Sequence, residues 1–451
     1  MRVLLGLGAL PLGAAVVLAA SCVLPALDLA GRPCPCAADY VCDTTTNTCV
    51  PAGSTTTATG GSAGSGGGLG GQAGHGAGGA AGTGGGTAGT GGGGGEEPLA
   101  KPLVVTGDTQ TGPLGLSVEG FFRLETDAAA NWQPTRWYDL ASNPMLDLAA
   151  KMPSNDITNL LIMPFTLDTG GYWWEADDAS VVSVTLIDQT PARAVLDTVI
   201  AYPAANVQAH GVYTVYASGR VALLADLLNV GGVTIPFEDA ECSYTSVSET
   251  LTWAVSNLAN NYAAGFFRTD GATPYPNLLA INSSLFGAVG SDAPGNRYWS
   301  QGAFNLTAGG HYARTTELQL GPGNQDTVSL TDRANDVLGP GLQVVSGGTA
   351  LGNGYDQGQG AYVLQAAGTS VQFRPTGAQT RFTPSFVVSG WSAATWSVSL
   401  GGEVLVSSAA PIGPHAIAFF DQPGSTLVLV YLRDIPMAAP DAERLFTLEA
   451  Q

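Results

Sequence analysis

The glycine-rich tract from Gly60 to Gly95 constrains the fold of this chain more than any other feature. Of its 36 residues 22 are glycine, and most of the others are alanine, serine or threonine. A segment with so few apolar side chains buries nothing that would offset the entropy lost on ordering glycine backbone. We therefore predict a disordered linker over residues 53–100, which as a coil would span about 35 to 40 Å. It separates a short N-terminal segment from a body that begins near Lys101.

The N-terminal 21 residues have the layout of a secretory signal, with an apolar run from Val3 to Ala20 that ends in small residues. The sequence Leu18-Ala19-Ala20-Ser21-Cys22 resembles the lipobox of bacterial lipoproteins. That resemblance implies a lipid on Cys22, as the first mature residue, and a position at the outer membrane or cell surface. The family favours leucine where this chain has Ala19, so cleavage after Ser21 and plain secretion is the alternative.

Residues 22–52 form a small cysteine-rich segment behind this anchor. In an exported chain its four closely spaced cysteines predict two disulfides of open connectivity, and a zinc site is the alternative; they are Cys34, Cys36, Cys42 and Cys49. The run DYVCDTTTNTCV resembles part of the short cysteine-rich segments of bacterial surface lipoproteins, which implies no activity. Cys242 is left single, and we expect a buried, unreactive thiol in a strand.

The body is predicted to be all-β, because β-branched and aromatic residues alternate between Gly, Pro, Asn and Asp turns. Two domains are expected, a large β-sandwich over 101–335 and a smaller C-terminal β-sandwich over 340–451. Residues from Thr331 to Gly341 look polar, without an apolar face, and we place the boundary there. One short helix is predicted to start at Asn143.

One strand and one pair of strands in the first domain show this alternation clearly. In Val181 to Ile187 the residues Val182, Val184 and Leu186 share one face. The strands His210 to Ala217 and Arg220 to Leu228 are joined through Ser218-Gly219 as a hairpin. Its run YTVYASGRV resembles the hairpins of galactose mutarotase-like β-supersandwich proteins, which implies a large sandwich and transfers no catalytic residue.

Charge and missing motifs exclude several functions. Charged residues are 12% of the chain and the formal net charge is −20, so a nucleic-acid partner is not expected. The body lacks the signatures of serine hydrolases, zincins, P-loop NTPases and thioredoxins. No cofactor or metal is expected, although calcium is an alternative to a solvated turn for four polar residues, Asp326, Asp332, Asn335 and Asp336.

The most enzyme-like group lies at the predicted hairpin. His210 and Tyr216 with Arg220 would supply a base and a cation for a substrate that carries a carboxylate. Side chains alternate between the two faces of a strand, which places Tyr213 on the face opposite His210 and Tyr216. These residues and Arg220 therefore do not meet in one pocket through this hairpin alone. Aromatic packing with a capping arginine is the alternative.

The predicted ligand site is the loop after Gly170-Gly171. Aromatic rings stack on sugar faces while carboxylates accept from sugar hydroxyls, and this loop offers both in succession. Its alternative is that the tryptophans face a core. The candidate ligand-binding residues are Tyr172, Trp173, Trp174, Glu175, Asp177 and Asp178.

These features together predict a surface lipoprotein that displays β-sandwich domains for binding. Its expected partners are an extracellular glycan and the membrane, to which the N-terminal lipid anchors the protein. A tethered polysaccharide lyase or glycoside hydrolase is the alternative from the enzyme class. A structural envelope protein without catalysis is the third.

The lipobox hypothesis predicts that the protein partitions into the detergent phase in phase-separation experiments. Replacing Cys22→Ser removes the sulfur that would carry the lipid, so the variant should remain in the aqueous phase. The same partitioning for both proteins would contradict lipidation at Cys22.

Overall fold

The computed structural model describes residues 99–145 and 179–451, each with internal gaps, and four short strands at 40–43, 48–51, 165–167 and 172–173. The chain forms two compact units, Met1–Thr56 and Thr57–Gln451. In the first, β1 (Tyr40–Asp43) and β2 (Thr48–Pro51) form an antiparallel hairpin with Cys42 opposite Cys49. The signal, the glycine-rich linker, Cys34 and Cys36 lie outside the described residues, so lipidation and disulfides stay predictions.

The second unit begins with a four-stranded antiparallel sheet. Its strands are β3 (Val104–Thr106), β4 (Leu114–Val118), β5 (Phe122–Thr126) and β6 (Pro134–Asp139). Every second residue of β4 and β5 is buried, as expected of strands with one face on a core. The helix predicted from Asn143 lies largely outside the described residues.

The next strands are longer and contain the predicted hairpin. They are β7 (Phe165–Leu167), β8 (Tyr172–Trp173), β9 (Ser180–Gln189), β10 (Arg193–Tyr202), β11 (Val207–Tyr216) and β12 (Arg220–Asn229), with a 3-10 turn at Pro203–Ala205. The hairpin between β11 and β12 is confirmed, with Gly219 at φ +77°. The prediction for Val182 was wrong: it is 57% exposed, because a register shift between Val181 and Ser183 interrupts the alternation of β9.

Eight further strands complete two large sheets. They are β13 (Ile235–Ser246), β14 (Trp253–Leu258), β15 (Ala263–Arg268), β16 (Asn277–Asn282), β17 (Ala288–Gly290), β18 (Asn296–Gln301), β19 (Phe304–Leu306) and β20 (His311–Gly321). The eight-stranded sheet has the order β14-β15-β16-β20-β12-β11-β10-β9. A six-stranded sheet has the order β17-β18-β13-β7-β8, with β19 beside β13. The predicted all-β fold class is confirmed, and Cys242 lies in a strand as expected.

A helix, α1 (Thr327–Leu338), occupies the segment that we expected to be polar and without an apolar face. That prediction was wrong, because Leu330, Ala334 and Val337 form a buried stripe at helical spacing. The solvated-turn interpretation of the acidic residues here was wrong for the same reason, since Asp332 and Asp336 belong to the helix. None of the helices in the described residues is long and apolar enough to cross a membrane.

The last ten strands form the C-terminal sandwich. They are β21 (Gly341–Ser346), β22 (Gly348–Asp356), β23 (Ala361–Ala366), β24 (Ser370–Thr376), β25 (Ser385–Ser389), β26 (Trp396–Leu400), β27 (Glu403–Ser407), β28 (Ala416–Phe420), β29 (Thr426–Tyr431) and β30 (Phe446–Ala450). Two five-stranded sheets result, β21-β24-β30-β26-β27 and β22-β23-β25-β29-β28. The aromatic rings of Phe373, Phe386 and Phe446 pack within 5.4 Å of one another between them.

The sheet that contains β23 buries apolar residues on both faces. Tyr362 and Phe386 belong to the core of the C-terminal sandwich. Their neighbours Val363 and Val387, which point the opposite way, join the core of the large sandwich. Apolar packing therefore continues from one sandwich into the other, and the domain limits inferred from the sequence stay predictions.

Buried polar groups fix how the two sandwiches meet. Arg220 Nη1 lies 3.1 Å from Glu317 Oε1 and donates to the hydroxyl of Tyr355 at 2.8 Å, and that hydroxyl donates to Glu317 Oε2 at 2.6 Å. Burial raises the pKa of Tyr355 well above its usual range, so the phenol keeps the proton that it donates. Asp336 of α1 binds Arg381 Nη1 at 3.0 Å. We call these five side chains the interdomain network.

The two buried tyrosines beside this network provide a matched test. Tyr355→Phe removes a donor from the buried Glu317 carboxylate and should lower the free energy of unfolding by about 1–3 kcal/mol. Tyr362→Phe is the control, because its hydroxyl has no hydrogen-bond partner among the described residues. Denaturant unfolding of both variants measures the difference, and equal losses would contradict the role given to Tyr355.

Candidate functional site

The face of the eight-stranded sheet that meets the C-terminal sandwich is covered at one end only. At the covered end Tyr216, Arg220 and Glu317 are at most 3% exposed. Toward the other end, on the same face, the side chains of Asp197, His210 and His311 are 33–36% exposed. The opposite face belongs to the core of the large sandwich. The half-covered face is therefore where this sheet exposes polar side chains to solvent.

Strand register places four polar residues on that open half. His210 of β11 lies opposite Asp226 of β12. Asp197 of β10 lies opposite Val212, two residues beyond His210. His311 of β20 lies opposite Leu228, two residues beyond Asp226. Because opposite residues and alternate residues share a face, all four side chains point the same way. We call Asp197, His210, Asp226 and His311 the Asp–His row.

The four residues pair as two imidazole–carboxylate couples. His210 Nε2 lies 3.1 Å from Asp197 Oδ1, and His311 Nδ1 lies 2.6 Å from Asp226 Oδ2. The hydrogen bond to Asp197 raises the pKa of His210, against the opposing effect of burial, and the charges of Asp197 and Asp226 raise it further. The row crosses three strand spacings, or about 14 Å. Its carboxylates accept hydrogen bonds, and its imidazoles donate or accept them.

The structure does not bring the predicted catalytic residues together. His210 belongs to the Asp–His row, whereas Tyr216 and Arg220 are buried at the covered end. His210 lies opposite Asp226 of β12, and Arg220 is six residues from Asp226 along that strand, a distance of about 20 Å. Burial raises the pKa of Tyr216 to about 12, with the charge of Arg193 acting against it. Tyr213 faces the opposite way, as its period-two position predicted.

Three members of the row were not predicted, namely Asp197, Asp226 and His311. A signal for two of them exists in the sequence, because a single carboxylate interrupts each of the apolar runs RAVLDTVIAY and RVALLADLLN. The partner of Asp226 lies 85 residues away at His311. That pairing depends on the order of strands in the sheet, which local patterns do not reveal.

The aromatic loop lies mostly outside the described residues. Tyr172–Trp173 form strand β8, which pairs with β7. The side chains of the six candidates there are not described, and their role in binding stays a prediction. Among the described residues there is no group of three or more His, Cys, Asp or Glu placed to hold a metal ion.

No protein-family model and no curated protein matches this chain. Solved structures similar to parts of it include the galactosidase domain of an alpha-galactosidase-sucrose kinase, 10% identical with a TM-score of 0.35 over 52% of this chain and 44% of that one. A polysaccharide lyase is 10% identical with a TM-score of 0.32, over 74% and 46%. The galactose 1-epimerase of Lactobacillus acidophilus is 9% identical with a TM-score of 0.29, over 50% and 100%.

The chain thus spans less than half the length of the galactosidase and lyase chains. The epimerase is of the type that the hairpin resemblance named. Because the TM-scores and identities are low, the similarity assigns neither a family nor an activity to this protein.

The couple between His210 and Asp197 predicts a pH-dependent stability. The pKa of His210 is raised on folding above its unfolded value of about 6.5, so the couple stabilises the folded state fully below about pH 6.5. That contribution is lost as the pH rises through the folded-state pKa. Asp197→Asn should therefore destabilise the protein more at about pH 5.5 than at about pH 8.5.

Thermal unfolding at the two pH values measures this difference. Asp441→Asn is the control, because Asp441 pairs with two arginines, Arg374 and Arg444, and with no histidine among the described residues. An equal loss for Asp197→Asn at both pH values would refute the coupling of His210 to Asp197.

Proposed function

We propose that this chain is an exported, lipid-anchored bacterial surface protein that binds a neutral glycan on the open half of its eight-stranded sheet. The observation that carries the proposal is the Asp–His row, two imidazole–carboxylate couples held side by side on a partly exposed sheet face. The lipobox resemblance at Cys22 and the linker over 53–100 support display of this face at a distance from the membrane.

The chemistry of the open face suits a sugar. A pyranose presents hydroxyl groups around its edge and C–H groups on its faces. The carboxylates of the row accept from hydroxyls, and the imidazoles donate or accept. Between them lie the half-buried apolar residues Val212, Leu224 and Leu228, which give the ring faces an apolar floor.

The charge of the site favours a neutral glycan over an acidic one. Two members of the row are carboxylates, which repel the carboxylate of a uronic acid or a sulfate group. Two arginines on the same sheet face are buried and already paired, Arg193 with Asp188 and Arg220 with Glu317. A net charge of −20 adds long-range repulsion of polyanions.

One observation favours catalysis as a second candidate function. The pKa of His210 is raised by a hydrogen bond to Asp197, which is the arrangement of a group that transfers protons during bond cleavage. A tethered glycoside hydrolase or polysaccharide lyase would use such a residue. Cleavage of a bound polysaccharide distinguishes this function from binding alone.

A panel of polysaccharides tests the proposal. The full-length protein, immobilised in detergent, is mixed with neutral dextran, galactan and mannan and with acidic alginate and polygalacturonate. We expect retention of at least one neutral polymer and of neither acidic polymer. His210→Ala and Asp226→Asn should each weaken retention about 3- to 30-fold, because each removes hydrogen bonds that involve a charged group.

The same incubations are assayed for new reducing ends and for unsaturated sugars. Binding without products supports a binding module, whereas products that disappear in His210→Ala support the enzyme. The exposed Asp441→Asn variant controls for loss of one charge elsewhere on the surface. Retention of the acidic polymers alone, or of none of the polymers, would refute the proposed function.

A further inference from the structure

A turn of the C-terminal sandwich lies on the half-covered face of the eight-stranded sheet. It joins β22 to β23 and contains Gly358 and Gly360. A Cβ atom on Gly358 would lie 3.3 Å from Thr315 Cγ2 and 3.5 Å from Leu224 Cβ. One on Gly360, which has φ +65°, would lie 2.9 Å from Ala222 Cβ. The backbone of residues 356–360, which we call the sandwich turn, therefore rests directly on strands β12 and β20.

Register shows how close this turn is to the Asp–His row. Leu224, which Gly358 contacts, is two residues from Asp226 on the same face of β12. Leu224 also lies opposite Val212, which in turn lies opposite Asp197. Two residues along a strand is about 7 Å. A sugar bound to Asp226 or Asp197 would therefore lie close enough to the sandwich turn to contact it.

The turn is held in shape by its own hydrogen bonds. Asp356 Oδ1 accepts from the backbone N–H of Gln359 at 3.1 Å, and Asp356 Oδ2 accepts from Gln359 Nε2 at 2.7 Å. Tyr355, at the start of the turn, is fixed by the interdomain network. The backbone of the turn is thus placed before any ligand arrives.

Gln357 differs from these residues. Its Nε2 is buried and has no hydrogen-bond partner in the part of the chain that the structure describes, although the residue as a whole is half-buried. A buried donor without a partner is destabilising, because it has lost its hydrogen bonds to water and gained none in the protein. Rotation of a flexible glutamine side chain toward a ligand hydroxyl would supply the missing hydrogen bond. The turn therefore holds a donor without a partner among the described residues, next in the chain to Gly358, which packs on Leu224 two residues from Asp226.

We propose that the sandwich turn is the wall of the glycan site and that Gln357 is a ligand-binding residue, donating its amide hydrogen to a hydroxyl of the bound neutral sugar. The inference rests on the proposed function of the Asp–His row. It makes the site a joint product of both sandwiches, with the floor from the eight-stranded sheet and one wall from the C-terminal sandwich. Specificity then depends on which hydroxyl faces the turn.

The test replaces Gln357 with an apolar side chain of similar size. Gln357→Leu in the full-length protein should weaken binding of the retained neutral polysaccharide about 3- to 10-fold, the value of one hydrogen bond. Its thermal unfolding should stay the same or rise, since the variant removes an unpaired buried donor. A residue with only a structural role would instead lose stability. Gln357→Ala provides a second variant if the leucine is poorly accommodated.

Gln343→Leu is the matched control. Gln343 lies on exposed β21, where its Oε1 accepts from Arg374 Nε at 2.9 Å, and the variant should bind the polysaccharide as tightly as the wild type does. If His210→Ala loses binding while both Gln357 variants bind as the wild type does, the wall is refuted and the proposed function stands. If both Gln357 variants lose binding while His210→Ala does not, the ligand lies elsewhere and the joint site is refuted. If no neutral polysaccharide is retained, both proposals fail.

Discussion

The burial of Arg220 between Glu317 and Tyr355 is the interaction on which the rest of the structure depends. Removing a guanidinium and a carboxylate from water has a large desolvation cost. Only close pairing of the two charges and additional hydrogen bonds offset that cost. Here the partners come from β12, β20 and β22, and Arg220 also donates to the carbonyl of Phe382 at 2.9 Å. Such a network tolerates little displacement, so it fixes where the C-terminal sandwich rests on the large one.

That fixed position explains why the eight-stranded sheet has two different ends. Apolar packing through Val363 and Val387 and the interdomain network cover the end near Arg220. A second polar contact lies at the sheet edge, where Asp188 binds Arg193 at 2.6 Å and accepts from the backbone N–H of Gln422 at 3.1 Å. Beyond these contacts the sheet face stays partly exposed, and it is there that carboxylates and imidazoles replace apolar side chains.

The two groups of charged residues on this face differ in what they are able to do. Those of the interdomain network are buried and bind one another, so they hold the two sandwiches in position. In the Asp–His row the side chains of Asp197, His210 and His311 are about a third exposed while Asp226 is buried beneath His311, so three of the four side chains are accessible to a ligand.

The sequence by itself determined the all-β class and the hairpin from β11 to β12. Each of these follows from composition or from period-two alternation over a few residues, which are local properties. The sequence analysis missed helix α1. Its three buried apolar residues, Leu330, Ala334 and Val337, stand among polar residues in the sequence, and only the packing of the helix shows that they form one face. Only the tertiary structure decided the candidate site. His311 binds Asp226, which is 85 residues away in the sequence, whereas His210 and Arg220 lie at opposite ends of the same sheet face. Strand order and register, rather than spacing along the chain, set which side chains become neighbours.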